Sequence, residues 1–341
     1  MRTRTIDVTG IGNAIVDVVS QVDDAFLREH SITKGAMQLI DAGRARDLYR
    51  LLGPGLEVSG GSAANTATGL AAMGGRAAFV GKVRDDHLGS VFRADIARAG
   101  VRYETPSSTD GPDSACCLVL VTPDAQRSMN TYLGACTQLD TVDIDPELIA
   151  DSAVIYLEGY LWDPPGGRRA LQAATAAAHR AGSRLALSLS DPHCVERHRD
   201  DILRLLADHV DILFCNEDEL RALCRTDDLE VAIAAVVGNC DLLAVTRGAH
   251  GSIVIGPGER HQVPALPAGP VVDTTGAGDI YAAGFLFGLV SGEPLGRCGE
   301  IASAAAGEII TRFGARFPDR SNDGPARRPG LSGTAADLVN R

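Results

Sequence analysis

From Arg76 onward the chain alternates between short aliphatic or β-branched runs and longer stretches of helical period. Ala77–Val83, Val154–Leu157, Arg184–Leu189, Val210–Phe214 and Leu242–Thr246 read as strands. Asp86–Ala99, Arg168–Ala181, Glu196–Ala207 and Asp218–Cys224 read as helices. Two Ala/Gly-rich helices, Gly276–Val290 and Leu295–Thr311, follow. Strands that are apolar throughout are buried on both faces, and helices between them supply the crossovers of a parallel sheet. The expected class is α/β: a mostly parallel central sheet flanked by helices.

The first part of the chain departs from this rhythm. Ile6–Val19 opens as one β-branched strand, Asp23–His30 as a short helix, and Met37–Ile40 as a strand. Asp41 is placed to cap a helix over Ala42–Leu52, and Gly53-Pro54-Gly55 is a turn. Ser114–Val121 and Arg127–Leu133 flank Thr122-Pro123-Asp124-Ala125-Gln126 as a β-hairpin. With the strands near residues 13–40 this hairpin is expected to form a small second sheet over the core. After Pro318 the chain turns polar and Pro/Gly-rich, which suggests a loose tail at 319–341.

Charge narrows the partners. The 341 residues carry 32 basic and 44 acidic side chains, a formal net charge of −12. Nucleic acids and anionic membranes attract the opposite sign, so a small-molecule partner is expected. Ile280–Val290, the most apolar stretch, is too short to span a bilayer. Met1–Gly10 lacks the apolar core of a signal peptide, and a cytoplasmic, soluble protein is expected. The eight cysteines form no C-x-x-C pair and sit mostly in apolar runs such as Ile212–Cys215, as buried reduced thiols do.

The most informative string is Asp273-Thr274-Thr275-Gly276-Ala277-Gly278-Asp279, directly before an apolar helix. Small residues let backbone N–H groups converge, and a helix start aims its free N–H groups at one point. Such a point suits a phosphate carrying transferred charge, and Asp279 would stand beside it as a base. The plain alternative is a helix start with capping residues. Gly60-Gly61 removes side chains before the helix Ser62–Met73, where Asn65 falls. Asn216-x-x-Glu219 fits both a phosphate-and-metal element and a helix capping box. Thr246-Arg247-Gly248-Ala249-His250-Gly251 follows a buried strand, as a phosphate-side loop or a simple turn would.

Other features carry less. Val8-Thr9-Gly10-Ile11-Gly12-Asn13 lacks the third glycine of a dinucleotide fingerprint, and a strand follows it. Gly81-Lys82 lacks the first glycine and the Ser/Thr of a P-loop. His193, Cys194 and His198 read as an exposed helix start rather than metal ligands.

These motifs together resemble the PfkB (ribokinase-like) carbohydrate kinases, from about Ile6 to Pro318, with the adenosine kinase branch the most similar. The stretches that carry the resemblance are Gly12–Asp17, Gly60–Thr66, Arg127-Ser128-Met129, Leu187–Ser190, Val210–Glu217 and the Asp273 string. The resemblance implies one kinase domain over 1–318, with a lid drawn from about 13–45 and 105–138. It makes Asp279 the base and Gly276, Ala277 and Gly278 the anion loop. Asn13, Asp17, Gly61, Asn65, Arg127 and Tyr160 become substrate contacts, with Asp17 gripping a ribose diol. Asn216, Glu219, Thr246, Gly248 and Gly251 become ATP contacts. Mg²⁺ would be organised by Glu219 through water, and a monovalent cation such as K⁺ by Asp273 and the carbonyl of Thr275. Where adenosine kinases often place a phenylalanine pair, this chain has Gly159-Tyr160-Leu161-Trp162.

The reading is an ATP-dependent kinase acting on the 5′-hydroxyl of adenosine to give AMP and ADP, as monomer or homodimer. One rival is a kinase for a free sugar (ribose or fructose) or another nucleoside. A rival of another class is a nucleoside-binding regulator without turnover, against which the intact Asp279 and its glycine loop argue.

Overall fold

The computed structural model describes residues 4–52, 55–124 and 126–317. Gly53 and Pro54 of the expected turn, Ala125 of the hairpin turn and the tail at 319–341 lie outside the described residues.

The strands in chain order are β1 (Ile6–Ile11), β2 (Ile15–Gln21), β3 (Met37–Leu39), β4 (Leu56–Gly60), β5 (Ala77–Val80), β6 (Arg102–Tyr103) and β7 (Ala115–Val121). They continue as β8 (Arg127–Tyr132), β9 (Ser152–Glu158), β10 (Arg184–Ser188), β11 (Ile212–Asn216), β12 (Leu242–Thr246), β13 (Ser252–Gly256) and β14 (Glu259–Val263). The helices are α1 (Asp24–Glu29), α2 (Ala42–Leu51), α3 (Ser62–Ala72), α4 (His87–Arg98), α5 (Pro146–Asp151) and α6 (Pro165–Ala181). After them come α7 (Pro192–His209), α8 (Glu217–Cys224), α9 (Leu229–Val236), α10 (Ala277–Val290) and α11 (Leu295–Ile309).

The large sheet has the order β14-β13-β12-β11-β10-β9-β1-β5-β6. It is parallel from β12 to β6, and β13 and β14 close one edge antiparallel. Side chains alternate between its faces. Tyr156 and Phe214 pack with Leu70 and Phe285 on one side. Ile155, Leu157 and Leu213 pack with Leu171, Leu206 and Leu220 on the other. This two-sided burial is what the unbroken apolar runs require.

The small sheet has the order β3-β8-β7-β2-β4. The expected single strand over Ile6–Val19 is two strands, one in each sheet. The break falls at Gly12-Asn13, where a side chain on Gly12 would collide with the Glu158 carboxylate. Asp41 caps α2 as expected, its carboxylate accepting from the Arg44 N–H. Val16, Val18, Leu118 and Leu120 bury one face of the small sheet against Leu27 and Leu48. By strand alternation and register, Asp17, Val19, Val119, Met129, Met37, Leu39 and Leu56 lie on the other face. On that face Met37, Leu39 and Leu56 are 55%, 64% and 64% exposed.

Among the described residues, no helix is long and apolar enough to cross a membrane.

Candidate active site

The site forms at the carboxyl ends of the parallel strands, where open α/β sheets place their ligands. Asp279 lies in the first turn of α10, and Gly276 at its N-cap adopts a left-handed backbone, φ 73°. A Cβ at Gly276 would also strike Ala315, so glycine is required there twice over. The Ala277 N–H is already bonded to the Thr274 carbonyl at 3.2 Å. That leaves the N–H groups of Gly278 and Asp279 in the first turn, where helix geometry supplies no carbonyl. The anion hole is therefore narrower than the glycine string alone suggests. Phe285 of α10 meets Phe214 of β11 edge to face, 5.4 Å between centroids, which helps set the helix against the sheet.

The carboxylate of Asp279 is held from α3. Ser62 Oγ donates to Oδ1 at 2.6 Å, and the Asn65 side-chain amide donates to Oδ2 at 2.8 Å. Burial pushes the pKa up, while these two donors and the charge of Arg316 pull it back. Gly61 precedes α3 at φ +98°, with the Asn13 carbonyl where a Cβ would stand.

A cavity of about 90 Å³ adjoins Asp279. Ser62, Gly278, Asp279, Asn216, Glu219 and Thr246 line it. Asn216 and Glu219 form a full capping box on α8. The Asn216 N–H donates to Glu219 Oε2 at 2.9 Å, its side-chain amide to Oε1 at 2.7 Å, and the Glu219 N–H to Asn216 Oδ1 at 2.8 Å. Burial lifts Glu219 to about 7. The same two residues thus cap a helix and face the cavity. Gly248 and Gly251 lie in the turn from β12 to β13. Gly251 is packed against the Val263 carbonyl, and Gly248 has open space around it.

Asp17 is on β2, in the small sheet, and not on the first strand. Burial raises it to about 6, against the pull of Arg316 and Arg127. Arg127, on β8, pairs with Asp273 Oδ2 at 2.6 Å and lies over the Phe313 ring at 5.1 Å. This is a buried tie from the small sheet to the segment that leads into α10. Asp273 Oδ1 accepts from the Thr275 N–H and hydroxyl at 3.1 and 2.8 Å, and Oδ2 from the Gly314 N–H at 2.7 Å. With a guanidinium also in place, that carboxylate does not fit a monovalent cation.

Tyr160 lies in the turn after β9, its hydroxyl donating to the Ser190 carbonyl at 3.5 Å. Trp162, 4% exposed, belongs to the core with Leu139 and Leu171 and offers no free face to a ligand.

Three site residues gave no sequence signal strong enough to single out. Ser62 is hidden in a run of small residues. Arg316 lies beyond α11. Glu158 ends a buried strand, accepts from the Asn13 and Ala63 N–H groups at 3.2 and 3.0 Å, and is raised by burial to about 7. Cys194 and His198, expected at an exposed helix start, are buried, and His198 Nε2 lies 2.7 Å from Asp163 Oδ1. Arg197 also meets that carboxylate, at 2.8 Å. None of the eight cysteines is in a disulfide.

A buried carboxylate is thus held at a helix start, beside a cavity lined by the capping pair Asn216 and Glu219. The family model for pfkB family carbohydrate kinases matches residues 56–322, and the chain belongs to that family. It is a phosphotransferase acting on a hydroxyl group. A solved adenosine kinase from Sinorhizobium meliloti is 48% identical, with a TM-score of 0.84, covering 92% of this chain and 96% of that one. A probable sugar kinase from Rhizobium etli is 43% identical, with a TM-score of 0.87, covering 98% and 99%. Adenosine kinase 2 of Arabidopsis thaliana is 25% identical over 335 residues, covering 91% of this chain and 95% of that protein.

Proposed function

We propose that this kinase transfers the γ-phosphoryl group of ATP to the 5′-hydroxyl of adenosine, giving AMP and ADP. The observation that carries the reading is the approach of Asp17, on the small sheet, to Asp279 at the helix start, with Arg316 beside both. A ribose diol suits a carboxylate acceptor such as Asp17. A purine suits an apolar surface such as the one that Met37 and Leu39 leave exposed on β3. The relatives named as adenosine kinases support the nucleoside over a free sugar.

In this reading Asp279 accepts the proton of the 5′-hydroxyl. The O5′–P bond forms as the bond from Pγ to the ADP oxygen breaks, in line. The Gly278 and Asp279 N–H groups meet charge on the transferred phosphoryl oxygens. Asn13, Gly61 and Asn65 shape the sugar end of the site, and Tyr160 borders it. Asn216, Glu219, Thr246, Gly248 and Gly251 border the nucleotide. Mg²⁺, when bound, neutralises charge on the ATP phosphates. Glu219 fits it through water, because both carboxylate oxygens already accept from Asn216 and keep only spare lone pairs. The small sheet acts as a lid, with Arg127 tying it down and water kept from the γ-phosphate. The product serves purine salvage in the cytoplasm.

Incubation with ATP, Mg²⁺ and adenosine, read by ADP release and by the position of the new phosphate, tests the reading. AMP formation supports it. Adenosine bound with no ADP formed would make the protein a binding module instead.

A further inference from the structure

Arg316 reaches back across 257 residues of chain to grip the connection between the two sheets. Its Nε donates to the Ser59 carbonyl at 2.8 Å, and its Nη2 to that carbonyl and to Ser59 Oγ, the latter at 3.0 Å. Its Nη1 donates to the Ala64 carbonyl at 3.0 Å. Ser59 is the next-to-last residue of the lid strand β4, whereas Ala64 lies in the first turn of the core helix α3. Between them is only the Gly60-Gly61 link and the start of α3. One planar guanidinium therefore spans the two-glycine joint, which a single-point ammonium cannot do. Asp95 on α4 braces the same point, its Oδ2 accepting from the Ser59 N–H at 2.8 Å and hydroxyl at 2.7 Å.

Each side of the joint is tied to a carboxylate that the proposed reaction uses. On the lid side, a Cβ placed on Gly60 would stand 2.5 Å from Asp17 Oδ2, so that carboxylate rests on the link itself. On the core side, α3 presents Ser62 and Asn65 to Asp279.

We infer that Arg316 is a positioning residue: it staples the lid joint and so sets the separation of the diol-holding Asp17 from the base Asp279. The inference rests on the roles given to those two aspartates above. The staple also puts a positive charge where three carboxylates gather: Asp17 from β2, Asp279 from α10 and Asp95 from α4. Arg127 from β8 adds a second positive charge facing Asp17. Glu158 from β9 and Glu219 from α8 add negative charge facing Asp279.

The test compares wild type, Arg316→Lys and Arg316→Met by steady-state kinetics from pH 5 to 9 and by amide exchange over residues 56–66. Misplacement of reacting groups by about 1 Å costs on the order of 10²-fold, so Arg316→Met should lower kcat/KM for adenosine by at least about 30-fold. The KM for ATP should change by less than about threefold, since the nucleotide end is not on the joint. Its acid limb should move to higher pH, because the charge favouring ionised Asp17 and Asp279 is gone. Arg316→Lys keeps the charge and should keep the acid limb, yet remain slow because it bonds one side of the joint only. Amides across residues 59–66 should exchange faster in both variants. An unmoved acid limb in Arg316→Met, or equal losses for adenosine and ATP, would overturn the inference. If Arg316→Met does not fold, an Arg316→Lys variant with wild-type kinetics and exchange would overturn it. A wild type inactive on adenosine would sink the functional reading, and the exchange comparison would still decide the staple.

Discussion

Asn65 and Asp279 meet across 214 residues of chain, the side-chain amide of one donating to Oδ2 of the other at 2.8 Å. With Ser62 on Oδ1, the carboxylate plane is fixed by one helix while its backbone belongs to another. Both donors favour the charged form, against the burial that disfavours it. A carboxylate has about four acceptor positions, so lone pairs remain for a substrate hydroxyl.

Asp279→Asn preserves shape and removes proton acceptance. Loss of a general base costs about 10²–10⁴ in kcat, with little change in either dissociation constant. Rapid-quench turnover and calorimetry on one preparation check both parts, and a near-normal kcat would remove Asp279 from the mechanism.

Asp17→Ala should weaken adenosine binding and spare ATP. A hydrogen bond to a charged group is worth about 1.5–3 kcal/mol, roughly 10- to 150-fold in affinity. The 2′-deoxy nucleoside should lose less than the ribonucleoside. Equal losses would exclude the diol contact.

The pH profile should have an acid limb near 6. Asp17 can accept from both diol hydroxyls as a charged acceptor only when ionised, since protonation turns one of its acceptor oxygens into a donor, and burial raises it to about 6. Below that value it is protonated, and kcat/KM for adenosine should fall by about tenfold per unit. Above it the rate should level off. A flat profile from pH 5 to 8 would mean that neither Asp17 nor Asp279 needs its charge.

Arg127→Ala should loosen the lid by cutting its tie to Asp273. The KM for adenosine should rise about tenfold, the scale of a lost charged hydrogen bond, and ATP hydrolysis without transfer should increase. Unchanged coupling between ATP use and AMP formation would show that the tie does not govern closure.

Much of this was legible because local chemistry decided it. The short β-branched and aliphatic runs at Val210–Phe214 and Leu242–Thr246 favour buried strands, and Asp41 and Asn216 cap helices by their own side chains. The break at Gly12-Asn13 was not legible, because it answers to Glu158, which arrives 145 residues later. β13 and β14 were missed because an antiparallel edge has no crossover helix to mark it. The role of Asn65 was legible only by resemblance, and Arg316 not at all: its partners are backbone carbonyls, which carry no residue signature. Tyr160 was drawn to the site by resemblance, and Trp162 beside it belongs to the core, where its apolar area is worth most.

The central claim, a nucleoside rather than a free sugar, is tested most directly by kcat/KM for adenosine against ribose at fixed ATP and Mg²⁺. Adenosine should exceed ribose by at least about tenfold, equivalent to ~1.4 kcal/mol of transition-state binding. Ribose or fructose turned over as well as adenosine would contradict it and leave a PfkB kinase of a free sugar.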